Sequence, residues 1–292
     1  MSITSPCTGV CKINSNTGWC LGCGRSRDEM DGWGMRTEAW RQKVWKKIPQ
    51  RLHQMGVICR RLPWTKEDIK EFVISSLEDV KGTWVFGVVG AVGEFTAAPG
   101  ERVSLIYEDD VILAHTKNGA MQIKINDEVR ALTFEQSDLT KASLILLVVK
   151  KKSGNIPTAN VITDLGKDVK PLFKSDNQRL FDLGLGRKEA RFSVRVASGS
   201  ASKALKNTLG QNFKKAFPFI AEALIQESPT RVIDTAIGRI EVQGKIPPPE
   251  ASSPLGPHTH LLPNELETGR PLPIGMEIPS SYLPGAIFYP AK

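Results

Sequence analysis

Val111-Ile112-Leu113-Ala114-His115-Thr116-Lys117-Asn118-Gly119-Ala120-Met121-Gln122-Ile123-Lys124-Ile125 is the stretch on which the fold turns. Two short runs rich in branched and apolar side chains, 111–115 and 121–125, bracket Lys117-Asn118-Gly119. Asn-Gly tolerates the positive φ angles of a tight turn, so this is the strongest short-range signal for a hairpin. Asn126-Asp127-Glu128 then separates the second run from another at Val129–Phe134. Further strand-like runs at Thr83–Val89, Arg102–Tyr107 and Ser143–Val149 extend the pattern into an antiparallel meander.

Outward from the meander the chain reads as α+β. Thr65-Lys66-Glu67-Asp68 opens a helix that reaches about Glu78. Downstream, Arg191–Val196 reads as a strand, Ala201–Leu209 and Ala216–Gln226 as helices, and Thr230–Asp234 and Arg239–Gln243 as strands. A run of strands followed by helices mixed with strands predicts α+β layers, not a doubly wound parallel sheet. Residues 247–292 hold 11 of the 19 prolines and open with Pro247-Pro248-Pro249. Such a run cannot continue a helix or a central strand, so this tail is expected to wrap the body as extended chain and turns.

The 292 residues are 40% hydrophobic and 24% charged, an ordinary globular composition with room for about two domains. We place them at 1–62 and 64–292. The longest uncharged apolar run, Trp84 to Gly93, has ten residues; a membrane span needs roughly 20. The start, Met1-Ser2-Ile3-Thr4-Ser5-Pro6-Cys7, lacks the apolar core of a secretory signal. A cytoplasmic protein with no membrane partner is therefore expected.

Charge and cysteine both concentrate at the N-terminus. Residues 1–62 carry 11 Lys/Arg against 4 Asp/Glu, whereas the rest carry 28 against 27, so the formal +8 is an N-terminal property. A basic module on a near-neutral body points to an acidic partner, nucleic acid or protein; solubility alone is the plainer alternative. Cys7, Cys11, Cys20 and Cys23 are spaced C-x3-C-x8-C-x2-C. In a reducing compartment this pattern suits a metal better than disulfides. Cys20-Leu21-Gly22-Cys23-Gly24 has the glycines of a knuckle whose amides turn toward sulfur. Four thiolates close a structural Zn2+ site, which the compact two-pair layout favours; an iron–sulfur cluster, which also takes four thiolates, is the alternative. Cys59, apart from the others, reads as a small buried hydrophobe.

Thr37 caps a helix expected to end near Ile48, before Pro49. Trp40, Val44 and Ile48 form its apolar stripe, to be packed on the knuckle with Met30 and Trp33. Trp45 is expected to be the more exposed tryptophan. Arg25, Arg27, Arg41, Lys43, Lys46, Lys47 and Arg51 are the candidate partner-binding residues, suited to phosphates.

In the body, His258-Thr259-His260 is the most suggestive element. Alternate residues of an extended strand point the same way, so two imidazoles can share one metal, with Glu265 or Glu267 nearby as a carboxylate. The alternative is a turn whose histidines bond backbone or solvent. Gly184-Leu185-Gly186 and the Gly87, Gly90, Gly93 series miss the dinucleotide fingerprint and read as close backbone approaches.

Two resemblances follow. Ser5-Pro6-Cys7-Thr8-Gly9-Val10-Cys11, Trp19-Cys20-Leu21-Gly22-Cys23-Gly24-Arg25, Asp28-Glu29-Met30, Trp33 and Ile48-Pro49-Gln50-Arg51-Leu52 resemble a small bacterial domain of unknown function whose members are commonly labelled predicted iron–sulfur proteins. That resemblance implies Cys7, Cys11, Cys20 and Cys23 as ligands and supplies no activity. Leu180-Phe181-Asp182-Leu183-Gly184-Leu185-Gly186, Gly238-Arg239-Ile240-Glu241-Val242 and Gly256-Pro257-His258-Thr259-His260-Leu261-Leu262-Pro263 resemble a second uncharacterised bacterial family. The sequence thus predicts a metal-binding docking protein. An iron–sulfur redox or sensor protein and an enzyme with its site near His258 and His260 are the alternatives.

Overall fold

The computed structural model describes residues 5–88, 91–134, 143–174, 178–247, 255–260 and 278–291. Gly90, Pro248, Pro249, Pro263, Glu265 and Glu267 lie outside them.

The N-terminal part is two capped helices around a small core. Ser26 opens α1 (Arg27–Met30): its hydroxyl accepts from the Glu29 amide while the Glu29 carboxylate accepts from the Ser26 amide. Thr37 caps α2 (Glu38–Gln54) as the sequence predicts. The expected end at Pro49 is wrong, because the helix continues through that proline. An interior proline removes one helical hydrogen bond. The extra turn compensates by burying Leu52 and by bringing Arg51 to the Gly24 carbonyl and the Glu29 carboxylate. Trp33, Val44, Trp45, Ile48 and Leu52 are the buried core, with Trp40 only partly covered. The two tryptophans are thus reversed from expectation: Trp45 neighbours the Val44 position of the stripe and turns inward, while Trp40 stacks edge-on against Trp33.

The body contains β1 (Cys59–Arg61), α3 (Lys66–Glu78), β2 (Gly82–Val88), β3 (Ala91–Phe95), β4 (Ser104–Glu108), β5 (Val111–His115), β6 (Gly119–Lys124), β7 (Arg130–Phe134), β8 (Ile145–Lys150), β9 (Thr163–Lys167), β10 (Arg179–Asp182) and β11 (Ala190–Val196). It continues through α4 (Ser200–Asn207), α5 (Phe213–Glu227), β12 (Thr230–Thr235), β13 (Gly238–Val242), β14 (His258–His260) and β15 (Tyr282–Pro290). Among the described residues these strands make two sheets, ordered β1-β7-β8-β15-β2-β3-β14 and β4-β5-β6-β13-β12-β11-β10-β9. Every pairing is antiparallel, so the predicted α+β class holds. A hairpin joins β5 to β6 where the sequence places one, but Thr116 stands opposite Gly119 with Lys117-Asn118 at the tip, so Gly119 is already a strand residue and has no positive φ.

The main core lies between the sheets. Trp84, Phe86 and Phe95 from one sheet meet Phe181, Phe192, Ile233 and Ile240 from the other, with α3, α4 and α5 packed against them. Two features differ from expectation. Residues 59–61, inside the expected N-terminal module, form an edge strand of the body's sheet. Part of the tail expected to wrap the surface, β15, is instead a central strand between β8 and β2. Its prolines are tolerated because Pro290 ends the strand and Pro284 sits at a register shift, where no ladder donor is required.

The outer face of the eight-stranded sheet buries charge. The Arg195 guanidinium bonds Asp168 at 2.8 Å and Glu241 at 2.9 and 2.7 Å, and Arg239 also meets both carboxylates. Glu241 further accepts the Leu172 and Phe173 amides, pinning residues 168–173 across the strands. Against the upward push of burial, Arg195 and Arg239 hold the Asp168 carboxyl below its ordinary range.

Candidate functional site

The knuckle forms as its glycines require. The Cys23 and Gly24 amides donate to the Cys20 carbonyl at 3.3 and 2.7 Å, and the Cys20 amide returns a bond to Arg25. Residue 22 must be glycine, since a Cβ there would lie 2.5 Å from the Thr8 hydroxyl, which itself donates to the Gly22 carbonyl. This contact brings the Cys7–Cys11 arm beside the Cys20–Cys23 loop. Cys20 and Cys23 are buried, Cys7 is half-buried and Cys11 is exposed.

The sulfurs influence one another. A hydrogen bond shared with Cys23, joined by the Gly22, Cys23 and Lys12 amides, holds the Cys20 thiol below its ordinary value. The same sharing raises Cys23. The charge on Cys7, then burial, raises Cys11, and Cys20 adds to the effect. Amides aimed at sulfur favour thiolates, and thiolates are the form a metal needs. Cys7 stands beside Cys11 and Cys20 beside Cys23, but no three of the four sulfurs lie within 4.8 Å of one another.

The basic residues divide. Arg25 is buried, with its guanidinium over the Trp33 ring and its Nε toward the Cys23 sulfur. Arg51 clamps Glu29 and stacks on Trp19, and Arg41 pairs with Glu38. All three thus have contacts within the module itself. Arg27, Lys43, Lys46 and Lys47 are exposed, and the three lysines share one side of α2. The module also meets the body: Arg61 and Tyr282 both donate to the Cys7 carbonyl, at 3.4 and 3.3 Å, and Ser281 donates to that of Thr8.

His258 and His260 converge. On β14 they project to the same side, and β14 pairs with β3 so that His258 faces Glu94 and His260 faces Val92. The imidazole Nε2 atoms lie 3.8 and 3.5 Å from the two oxygens of Glu94, and the rings meet edge-on at 4.7 Å. Glu94 is the residue sequence reasoning missed. Its position between the glycine-rich apolar run Trp84–Gly93 and Phe95 is unusual for a carboxylate, and that was the available signal. Gly184-Leu185-Gly186 is structural as read: a Cβ at Gly184 (φ +70°) would strike the Val161 backbone. Cys59, with burial lifting its thiol to about 12, is the inert hydrophobe expected.

These features define a two-sheet α+β protein carrying a four-cysteine knuckle at its N-terminus. The chain belongs to the Family of unknown function (DUF6925), whose model matches residues 68–292, and residues 5–52 match the Protein of unknown function (DUF1289). The Uncharacterized protein YdhL of Escherichia coli strain K12 is 40% identical over 50 residues, which is 17% of this chain and 62% of YdhL. The YdhL proteins of Shigella flexneri and Escherichia coli O6:H1 match equally. The chain therefore spans less than two thirds of these relatives. No solved structure matches the chain. Among the described residues, no helix is long and apolar enough to cross a membrane.

Proposed function

We propose that residues 5–52 are a four-thiolate metal module that docks the chain on an acidic partner. Cys7, Cys11, Cys20 and Cys23 are its ligands, and Zn2+ is the preferred occupant over an iron–sulfur cluster. The observation that carries the reading is the knuckle, where backbone amides and the Cys23 thiol turn toward Cys20 and stabilise a thiolate. When bound, the metal supplies cross-linking energy that a core of five side chains lacks. The docking face reduces to Lys43, Lys46 and Lys47 with Arg27, because the other arginines already have partners within the module. Phosphates of a nucleic acid suit these lysines, and an acidic protein is the competing partner.

Metal content and the visible spectrum of anaerobically purified full-length protein test the first part. A colourless protein with zinc supports the structural site, a brown one with iron and sulfide supports the cluster, and a metal-free protein ends the reading. For the second part, binding to a generic DNA duplex should weaken steeply with salt and be lost in Lys43→Glu/Lys46→Glu/Lys47→Glu. Absence of binding at low salt leaves the acidic protein. A second reading places chemistry in the body, favoured by the convergence of His258 and His260 on Glu94.

A further inference from the structure

We infer that the outer edge of β4 is a self-pairing surface: two copies of this chain join edge to edge, β4 against β4 and antiparallel, into one continuous sheet. Among the described residues four strands end the two sheets, and three of them are guarded. β1 and β14 have only three residues each. β9 carries Asp164, Gly166 and Lys167 and pairs with β10 through a register break. Short length, charge and bulges are how natural sheets discourage edge pairing. β4 has five residues, pairs with β5 without a break and holds no proline or lysine. It also leaves Ile106 and Tyr107 each 60% exposed.

Backbone alternation shows which groups this edge offers. The Ile125 amide donates to the Asp110 carbonyl and the Thr116 amide to that of Gly119, so the even-numbered residues along β5 bond toward β6. Val111, Leu113 and His115 therefore bond toward β4, where they stand opposite Glu108, Ile106 and Ser104. The N–H and C=O groups of Val103, Leu105 and Tyr107 must then point outward. They have no partner among the described residues.

A two-fold pairing of identical strands must centre on one of these outward-facing residues. Centring on Val103 or Tyr107 would run the strand against Pro99-Gly100 or against the Asp109-Asp110 turn. Centring on Leu105 keeps strand against strand. It sets Leu105 opposite its own copy, Val103 opposite Tyr107, Ser104 opposite Ile106 and Arg102 opposite Glu108. Arg102 and Glu108 are both exposed, so this register places opposite charges face to face at both ends of the junction. It also supplies the exposed Tyr107 ring with an apolar neighbour in Val103. Val103 and Leu105 already pack on the main core, so the apolar side of the sheet continues from one copy into the other.

Residues 102–108 on each side fall well below the roughly 20–30 residues a side of a standard interface, so the dimer should be weak and concentration-dependent. Sedimentation velocity of the full-length protein across a concentration series is the test. Wild type should pass from monomer toward dimer as concentration rises. Arg102→Glu and Glu108→Arg, each alone, set like charges opposite one another at both ends and should weaken association about tenfold or more. Arg102→Glu/Glu108→Arg restores opposite charges in the same register and should recover most of the lost association. Amide exchange at Leu105 and Tyr107 should slow as the dimer forms, because their outward N–H groups are then bonded. The inference falls if wild type stays monomeric up to its solubility limit, or if either single reversal associates as wild type does. Recovery that fails in the double exchange overturns the register and with it the inference. Exchange at Leu105 and Tyr107 that ignores concentration places the contact on another face, with the same consequence.

Discussion

Residues 5–52 enclose five buried apolar side chains, whereas the body encloses a continuous core from both sheets and three helices. The difference decides where each region's polar chemistry can come from. A module that small gains little from burial, so on the proposed reading a metal held by cysteines close in sequence completes it. A large sheet body can bury charge outright. Arg195, Asp168, Arg239 and Glu241 sit inside it, and Glu94 meets histidines that lie far along the chain. Local chemistry holds the first region together, and long-range topology assembles the sites of the second.

The largest effect should break the first half of that comparison. Cys20→Ser/Cys23→Ser removes both knuckle thiols, and structural zinc sites contribute about 10–16 kcal/mol of folding energy at neutral pH. Hydrogen exchange should show α1 and α2 losing protection while β5, β6 and β11–β13 keep theirs. Loss of protection throughout would mean that the Cys7–Tyr282 and Thr8–Ser281 contacts make the two regions one cooperative unit. Intact protection in α2 would mean that the module needs no metal.

A smaller but substantial effect should appear in the body. Arg195 and Glu241 side chains are fully buried, and removing one member of such a group leaves an uncompensated charge. Arg195→Met should therefore cost about 3–5 kcal/mol in urea unfolding. The combined change Arg195→Met/Glu241→Leu/Asp168→Leu/Arg239→Met should recover part of that loss. If Arg195→Met alone is neutral, the network contributes nothing to holding residues 168–173 on the sheet.

The same contrast explains what the sequence revealed. The cysteine cluster, the Thr37 cap and the Asn118-Gly119 hairpin were legible because each is decided within a few residues. The convergence of His258 and His260 was allowed by alternation along one strand, though not required by it. Glu94 was not, because its role arises only when β14 pairs with β3, and that pairing depends on the whole sheet. Pro49 and the prolines of the tail, Pro284 among them, misled for a related reason. Each is a local signal to stop, overridden by burial of Leu52 in one case and by a register shift in the other. That Arg25, Arg41 and Arg51 also bond within the module was not legible, because sequence does not say which charges the module itself uses.

The smallest expected effect sharpens that last point. Glu29 caps α1 and receives the Arg51 guanidinium, at 3.2 Å for one of the two bonds. Burial pushes its carboxyl up, but Arg51, the Ser26 amide and Lys47 outweigh that and leave it below the ordinary value. A carboxyl whose folded pKa is depressed stabilises the fold above its unfolded pKa, near 4.3, and loses that contribution as pH falls through the folded value. Glu29→Gln should therefore cost about 1 kcal/mol at neutral pH, the range of a partly exposed ion pair plus a cap. The difference from wild type should shrink steadily below about pH 4, where both side chains are uncharged. Amide exchange of α1 and α2 on full-length protein between neutral pH and about pH 3 measures it. A cost that stays constant across that range would assign Glu29 to shape alone and return Arg51 to the set of charges available to a partner.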